Sequence, residues 1–149
     1  MYNDALAVDY LRRAAARLRA LAVLHAECSW ADVVREAQEI VEITLKGLLR
    51  ASRIEVPRIH DVSPVLEENR ERLPAAVLPH LAELVSISRQ LRRDRELAFY
   101  GSEDLTPSDF YNEGDADAAL AQARRVHEVV CASLSHDEQV VRRDPHSGG

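Results

Sequence analysis

The sequence predicts an all-α protein, an up-and-down bundle of four to five helices. Two observations carry this. Ala, Leu, Arg and Glu, the strongest helix formers, dominate a 149-residue chain that has only 5 Gly and 6 Pro. Apolar residues also recur at three- and four-residue spacing through long stretches, the period of a helix with one buried face. A chain of this length forms one domain with a substantial core, expected over residues 1–135.

The first helix is expected from about Asp4 to Glu27, with Ala7, Leu11, Ala14, Leu18, Leu21, Ala22 and His25 along its inner stripe. Cys28-Ser29 breaks it, and Ser29 with Asp32 resembles an acidic capping box that opens the second helix. That helix, about Trp30 to Arg53, carries the clearest periodicity. Trp30, Val33, Val34, Ala37, Val41, Leu45, Leu48 and Leu49 form one stripe; Ile40, Ile43 and Gly47 form a second. Two apolar stripes require cover on two sides, from a central place in the bundle, from a partner subunit, or from both. An exposed second stripe is expected to serve as the docking face.

Pro57 disfavours helix at Val56 and places a linker over residues 54–61. Ser63-Pro64 reads as a cap and a first-turn proline, starting a short third helix to about Arg72 that Leu73-Pro74 ends. The fourth begins at Ala75 or Leu78 and runs to Leu97, with Leu81, Leu84, Val85, Ser88 and Leu91 turned inward. A loop is expected over 99–112. Asn112, with Asp115 three residues on, caps a fifth helix reaching about Leu134, with Ala116, Ala119, Leu120, Ala123, Val126 and Val130 on its inner face. The polar tail over residues 136–149 is expected to be disordered.

Charge and motifs narrow the function. A net charge of −6 argues against a general nucleic-acid coat but allows a local basic cleft. The two cysteines and six histidines share no ligand spacing, so neither a metal nor another cofactor is expected. No signal peptide or membrane-length apolar run stands out, and a cytoplasmic protein with no membrane contact is expected.

The densest chemistry lies in Arg89 to Gly101, where four arginines crowd a helix end before Phe99-Tyr100-Gly101. Guanidinium groups offer a planar fork of donors to phosphate. The alternative is that they complement the negative end of the helix and lie over apolar surface. Gln38, Glu42 and Lys46 fall at i, i+4 and i+8. They read either as an ordinary surface row with one Glu–Lys pair or as the wall of a cleft facing Arg95 and Tyr100. His60-Asp61 reads as a helix cap or as a base with its orienting carboxylate.

Several pieces in order resemble the HEPN superfamily of helical domains: the turn Ser29-Trp30-Ala31-Asp32, the Gln38–Glu42–Lys46 helix, the turn Ile59-His60-Asp61-Val62, and Arg95-Glu96-Leu97-Ala98-Phe99-Tyr100-Gly101. The resemblance implies a symmetric homodimer and a small nucleotidyltransferase partner in a toxin–antitoxin-like system. It also implies a nucleotide or RNA phosphate bound around Arg92, Arg93, Lys46, Glu42 and Gln38. Active relatives are metal-independent endoribonucleases with an arginine, four to six residues, then a histidine. Here Arg95 and four residues lead to Tyr100, so the catalytic roles fall on Arg95 and Tyr100. A non-catalytic module that docks a nucleotidyltransferase is the alternative.

Overall fold

The computed structural model describes residues 4–56, 58–59, 61–100 and 106–143, excepting the side chains of Asp4, 94–100 and 136–143. Six α-helices and two short 3-10 turns make up the described chain: α1 (Asp4–Ala26), α2 (Trp30–Ala51), α3 (Ser63–Glu68), 3-10 turns at Arg70–Arg72 and Leu78–His80, α4 (Leu81–Tyr100), α5 (Pro107–Phe110) and α6 (Glu113–Arg143). Four of the six are long, and the architecture is the all-α bundle that the periodicity predicts.

α2 is the central element, packed against α1, α4 and α6. Both of its apolar stripes are covered within one protomer: Val33, Ala37, Leu45, Leu48 and Leu49 on one, Ile40 and Ile43 on the other, are all buried. This corrects the expectation of an exposed Ile43 stripe. α1 supplies the cover. Gly47 lies so near it that a Cβ there would stand 3.2 Å from Leu11 Cδ2 and 3.3 Å from Tyr10 Cβ. Glycine thus allows a close helix crossing rather than a turn. On α1, Ala7, Ala14 and Leu21 are buried as expected, but Ala22 is exposed.

Pairwise contacts set the helix directions. Arg17 pairs with Glu36 and Glu39, and Tyr10 and Leu11 meet Gly47, so α1 and α2 are antiparallel. His25 meets Asp117 while His127 meets the Leu11 carbonyl, so α1 and α6 are antiparallel too. Glu83 binds Arg125, and Gln90 shares a cavity with Ala118 and Gln122, so α4 runs against α6. Therefore α4 also runs against α2.

Helix ends follow local chemistry. α1 and α2 each close with the 6→1 and 5→2 bonds of a Schellman motif: Ser29 N to Leu24 O with Cys28 N to His25 O, and Ile54 N to Leu49 O with Arg53 N to Arg50 O. Cys28 and Arg53 take the left-handed position, each at φ 58°, where glycine is the usual occupant. Ser29 Oγ donates to Asp32 Oδ2 at 2.6 Å, but neither side chain bonds a backbone amide, so the expected capping box is incomplete. Asp61 does cap: its Oδ1 accepts from Ser63 N at 3.0 Å and Ser63 Oγ at 2.6 Å. Asn112 and Asp115 form the reciprocal box that opens α6, at 2.9 and 3.0 Å.

Two boundaries move. Thr106 and Asp109 form a capping box with Pro107 in the first turn, so part of the expected 99–112 loop is α5. The last helix passes its expected end at Leu134 and continues to Arg143, into the segment expected to be a disordered tail. Neither glycine nor proline interrupts the chain between Gly114 and Pro145, so only a loss of buried contacts could have ended it.

Candidate functional site on the α2–α4 seam

α2 and α4 meet where Val34 and Leu91 line the same cavity. Val34 sits one turn into α2 and Leu91 sits halfway along α4, so the arginine-rich second half of α4 runs past the first turns of α2. Leu84, Leu91 and Ser88 are buried on α4. Arg95 follows Leu91 by four residues and Ser88 by seven, the register of that same inner face. The side chains of Arg95, Phe99 and Tyr100 lie outside the described residues, as do Pro57, His60, Gly101, Glu103 and Asp104.

The α2 polar row is not a surface pair. Gln38 is 3% exposed and Glu42 6%. Lys46 Nζ donates to Glu42 Oε1 at 3.1 Å, with its side chain 19% exposed. Burying a carboxylate is costly unless a cation and hydrogen bonds compensate, and the pair supplies a cation within the same helix. Gln38 Oε1 is different. It is buried and accepts no hydrogen bond, which costs about 1–3 kcal/mol for a neutral polar group.

The antiparallel packing divides the row. Gln38 stands one turn beyond Val34, which in an antiparallel pair is the Ser88 side of Leu91, away from the arginine half of α4. Lys46 stands 12 residues beyond Val34, about 18 Å along the axis. Gln38 is thus the member of the row nearest the arginines, though on the other side of Leu91, while Glu42 and Lys46 hold each other farther along α2.

The described arginines of α4 have different fates. Arg89 Nη2 binds Glu67 Oε1 at 3.0 Å and fastens α3 to α4. Arg92 is half-buried and Arg93 exposed, and among the described residues neither makes an ion pair or hydrogen bond. Among the described residues, Arg17, Arg92 and Arg125 are the half-buried arginines. Arg17 has Glu36 and Glu39, and Arg125 has Glu83 at 3.0 Å. Arg92 alone of the three lacks a carboxylate. An unmet donor on α4 and an unmet acceptor on α2 thus share one seam without satisfying each other.

The chain matches the HEPN domain over residues 7–135, nearly its whole length. The chain belongs to the HEPN domain family. Neither a curated protein nor a solved structure matches it. Family membership agrees with the resemblance read from the sequence.

Other reactive groups of this HEPN domain are accounted for structurally. Cys131 Sγ sits 3.6 Å from His127 Nε2, and burial pushes its thiol above the ordinary range, which disfavours the thiolate a nucleophile needs. His25 bridges to Asp117 at 2.5 Å and meets the Trp30 ring edge-on, centroids 5.1 Å apart. Trp30 is packed on the core as an anchor. No group of three metal-binding side chains occurs among the described residues, and none of their helices is long and apolar enough to cross a membrane. Both Gln38 and Arg92 were named from the sequence. That the first is a buried unmet acceptor and the second lacks a described carboxylate depends on what the neighbouring helices bring, and could not be read there.

Proposed function

We propose that this HEPN domain binds the phosphate of a nucleotide or RNA at the arginine half of α4, with Arg92, Arg93 and Arg95 as donors. The observation that carries the reading is Arg92, a half-buried guanidinium with no anion among the described residues. A partly desolvated cation favours an incoming anion more than a fully solvated one does. Each guanidinium offers the bidentate fork that phosphate oxygens accept. Gln38 lies on the Ser88 side of Leu91 and takes a donor when ligand binding rearranges the seam. Glu42 and Lys46 brace the same stretch of α2.

The domain acts as a homodimer and as one half of a two-component nucleotidyltransferase/HEPN system of the toxin–antitoxin type. Metal-independent cleavage of RNA by its own 2′-hydroxyl is the activity this family suggests. Arg95 then stabilises the charge that develops on the phosphate. The proton acceptor is the weak point. Tyr100 stands where the family pattern has histidine, and a phenol with pKa about 10 is mostly protonated at neutral pH. That substitution favours a second reading, a binding and docking module for the nucleotidyltransferase that cleaves nothing.

Arg95→Ala and Arg92→Ala are expected to abolish binding of a fluorescein-labelled single-stranded RNA in an anisotropy titration, with the helical circular dichroism unchanged. Wild-type affinity in both variants removes the site from α4. Cleavage of the same RNA by the wild type, lost in Tyr100→Phe, selects the nuclease; intact RNA selects the docking module.

A further inference from the structure

A cavity of about 170 Å³ opens on the other flank of Leu91, between α4, α5 and the first turns of α6. Val34, Leu91 and Ala119 form an apolar base, Phe110 and Tyr111 are its aromatic wall, and Gln90 and Gln122 bring two amides to it. The two rings stand 6.5 Å apart at 54°, a bent aromatic surface rather than a flat stack. Asp115, held in the cap of α6, adds a carboxylate. The volume is below the roughly 300 Å³ at which drug-sized pockets begin, so it suits a single small ring system.

We propose that this cavity receives an adenine base, and that Arg93 holds the phosphate attached to it. The inference rests on the phosphate reading above for Arg93 and adds the base. Apolar and aromatic faces accept any base by stacking. Selection comes from the amides, since a glutamine carries a donor and an acceptor side by side and matches the N6 and N7 edge of adenine. The Asp115 carboxylate favours an exocyclic amino group over a carbonyl at the same place. Arg93 is three residues beyond Gln90. Residues at that spacing are neighbours on one helix face, about 5–6 Å apart at Cβ. Arg93 is exposed and, among the described residues, makes no ion pair or hydrogen bond. Arg92 leaves α4 on the opposite side of Leu91, so a base in the cavity leaves the seam open for a neighbouring phosphate.

The probes are labelled decamers of riboadenosine and ribouridine, with unlabelled AMP as competitor. The full chain is expected to bind the adenosine decamer about tenfold more tightly, the size of one good base-edge contact. Gln122→Leu, on a partly exposed position, is expected to bring the two affinities together while leaving the uridine value unchanged. Arg93→Ala is expected to weaken both. In the wild type, the side-chain amide signals of Gln90 and Gln122 are expected to shift in NMR spectra on adding AMP or the adenosine decamer. A response to AMP identifies the free nucleotide as sufficient, and a response to the decamer alone identifies the base within RNA. Equal affinity for the two decamers, or a preference that survives Gln122→Leu, overturns the base site and leaves the phosphate site standing. Absence of binding to every probe overturns both.

Discussion

The two sides of α2 differ in chemistry although one helix builds them. Towards α1 the packing is apolar and close, with Ile40 and Ile43 buried, Gly47 admitting Tyr10 and Leu11, and Arg17 tied to Glu36 and Glu39 at the rim. Towards α4 the seam holds a buried Gln38 with an unmet acceptor, a half-buried Arg92 without an anion among the described residues, and a cavity beside Leu91. The first side satisfies nearly everything it buries. The second leaves polar groups unpaired, and their cost is borne by the apolar packing elsewhere. Such local violations of the rules of a well-packed core concentrate at functional sites.

The contrast breaks most severely at Ile40. Ile40→Ala removes a fully buried side chain on the α1 side, and a loss of about 3 kcal/mol in urea unfolding is expected, with any ligand affinity of the folded fraction retained. An effect below about 1 kcal/mol would mean that α1 does not close on α2 as described.

Gln38→Leu acts in the opposite direction. The substitution replaces an orphaned buried acceptor with an apolar group of similar size, so stability is expected to rise by about 1 kcal/mol. RNA affinity falls if the acceptor serves the site. A stabilised variant with wild-type affinity separates Gln38 from function; a destabilised one shows that its amide is needed for packing.

A smaller effect belongs to Glu36 at the α1 rim. Burial raises its carboxyl above the ordinary 4.5, with Arg17 opposing and Glu39 adding to the rise. The folded state therefore holds this proton more tightly than the unfolded chain does. Its contribution to stability is complete below pH 4.5 and declines as pH rises through the raised value. Glu36→Gln is expected to flatten that part of the stability profile, just above pH 4.5, in thermal unfolding. An unchanged profile refutes the assignment.

The helical class and most inward faces were legible because burial imposes a period that survives in one dimension. The stripes of α2, the Asp61 cap and the Asn112–Asp115 box all depend on residues within a few positions of one another. The polar row of α2 was not legible. An i, i+4, i+8 spacing looks the same whether water or another helix lies opposite, and α4 arrives from 40 or more residues away. The Ile43 stripe misled for the same reason, since its cover comes from α1. Thr106 and Asp109 did carry a local signal for α5, but Pro107 reads equally well as part of a loop. Arg95 and Tyr100 were legible as a motif and Arg92 as one of the arginine cluster, whereas Arg92's half-burial without a described carboxylate emerged only by comparing its surroundings with those of Arg17 and Arg125.

One titration tests the account most directly: labelled single-stranded RNA against wild type, Arg92→Ala and Arg12→Ala. The last two remove the same charge, one from the α4 seam and one from an exposed position on α1. Arg92→Ala is predicted to weaken binding by tenfold or more, about 1.4 kcal/mol, while Arg12→Ala stays within about twofold, as a screened surface charge should. Equal losses in the two variants would mean that RNA senses only the overall charge, and the seam would then be no binding site.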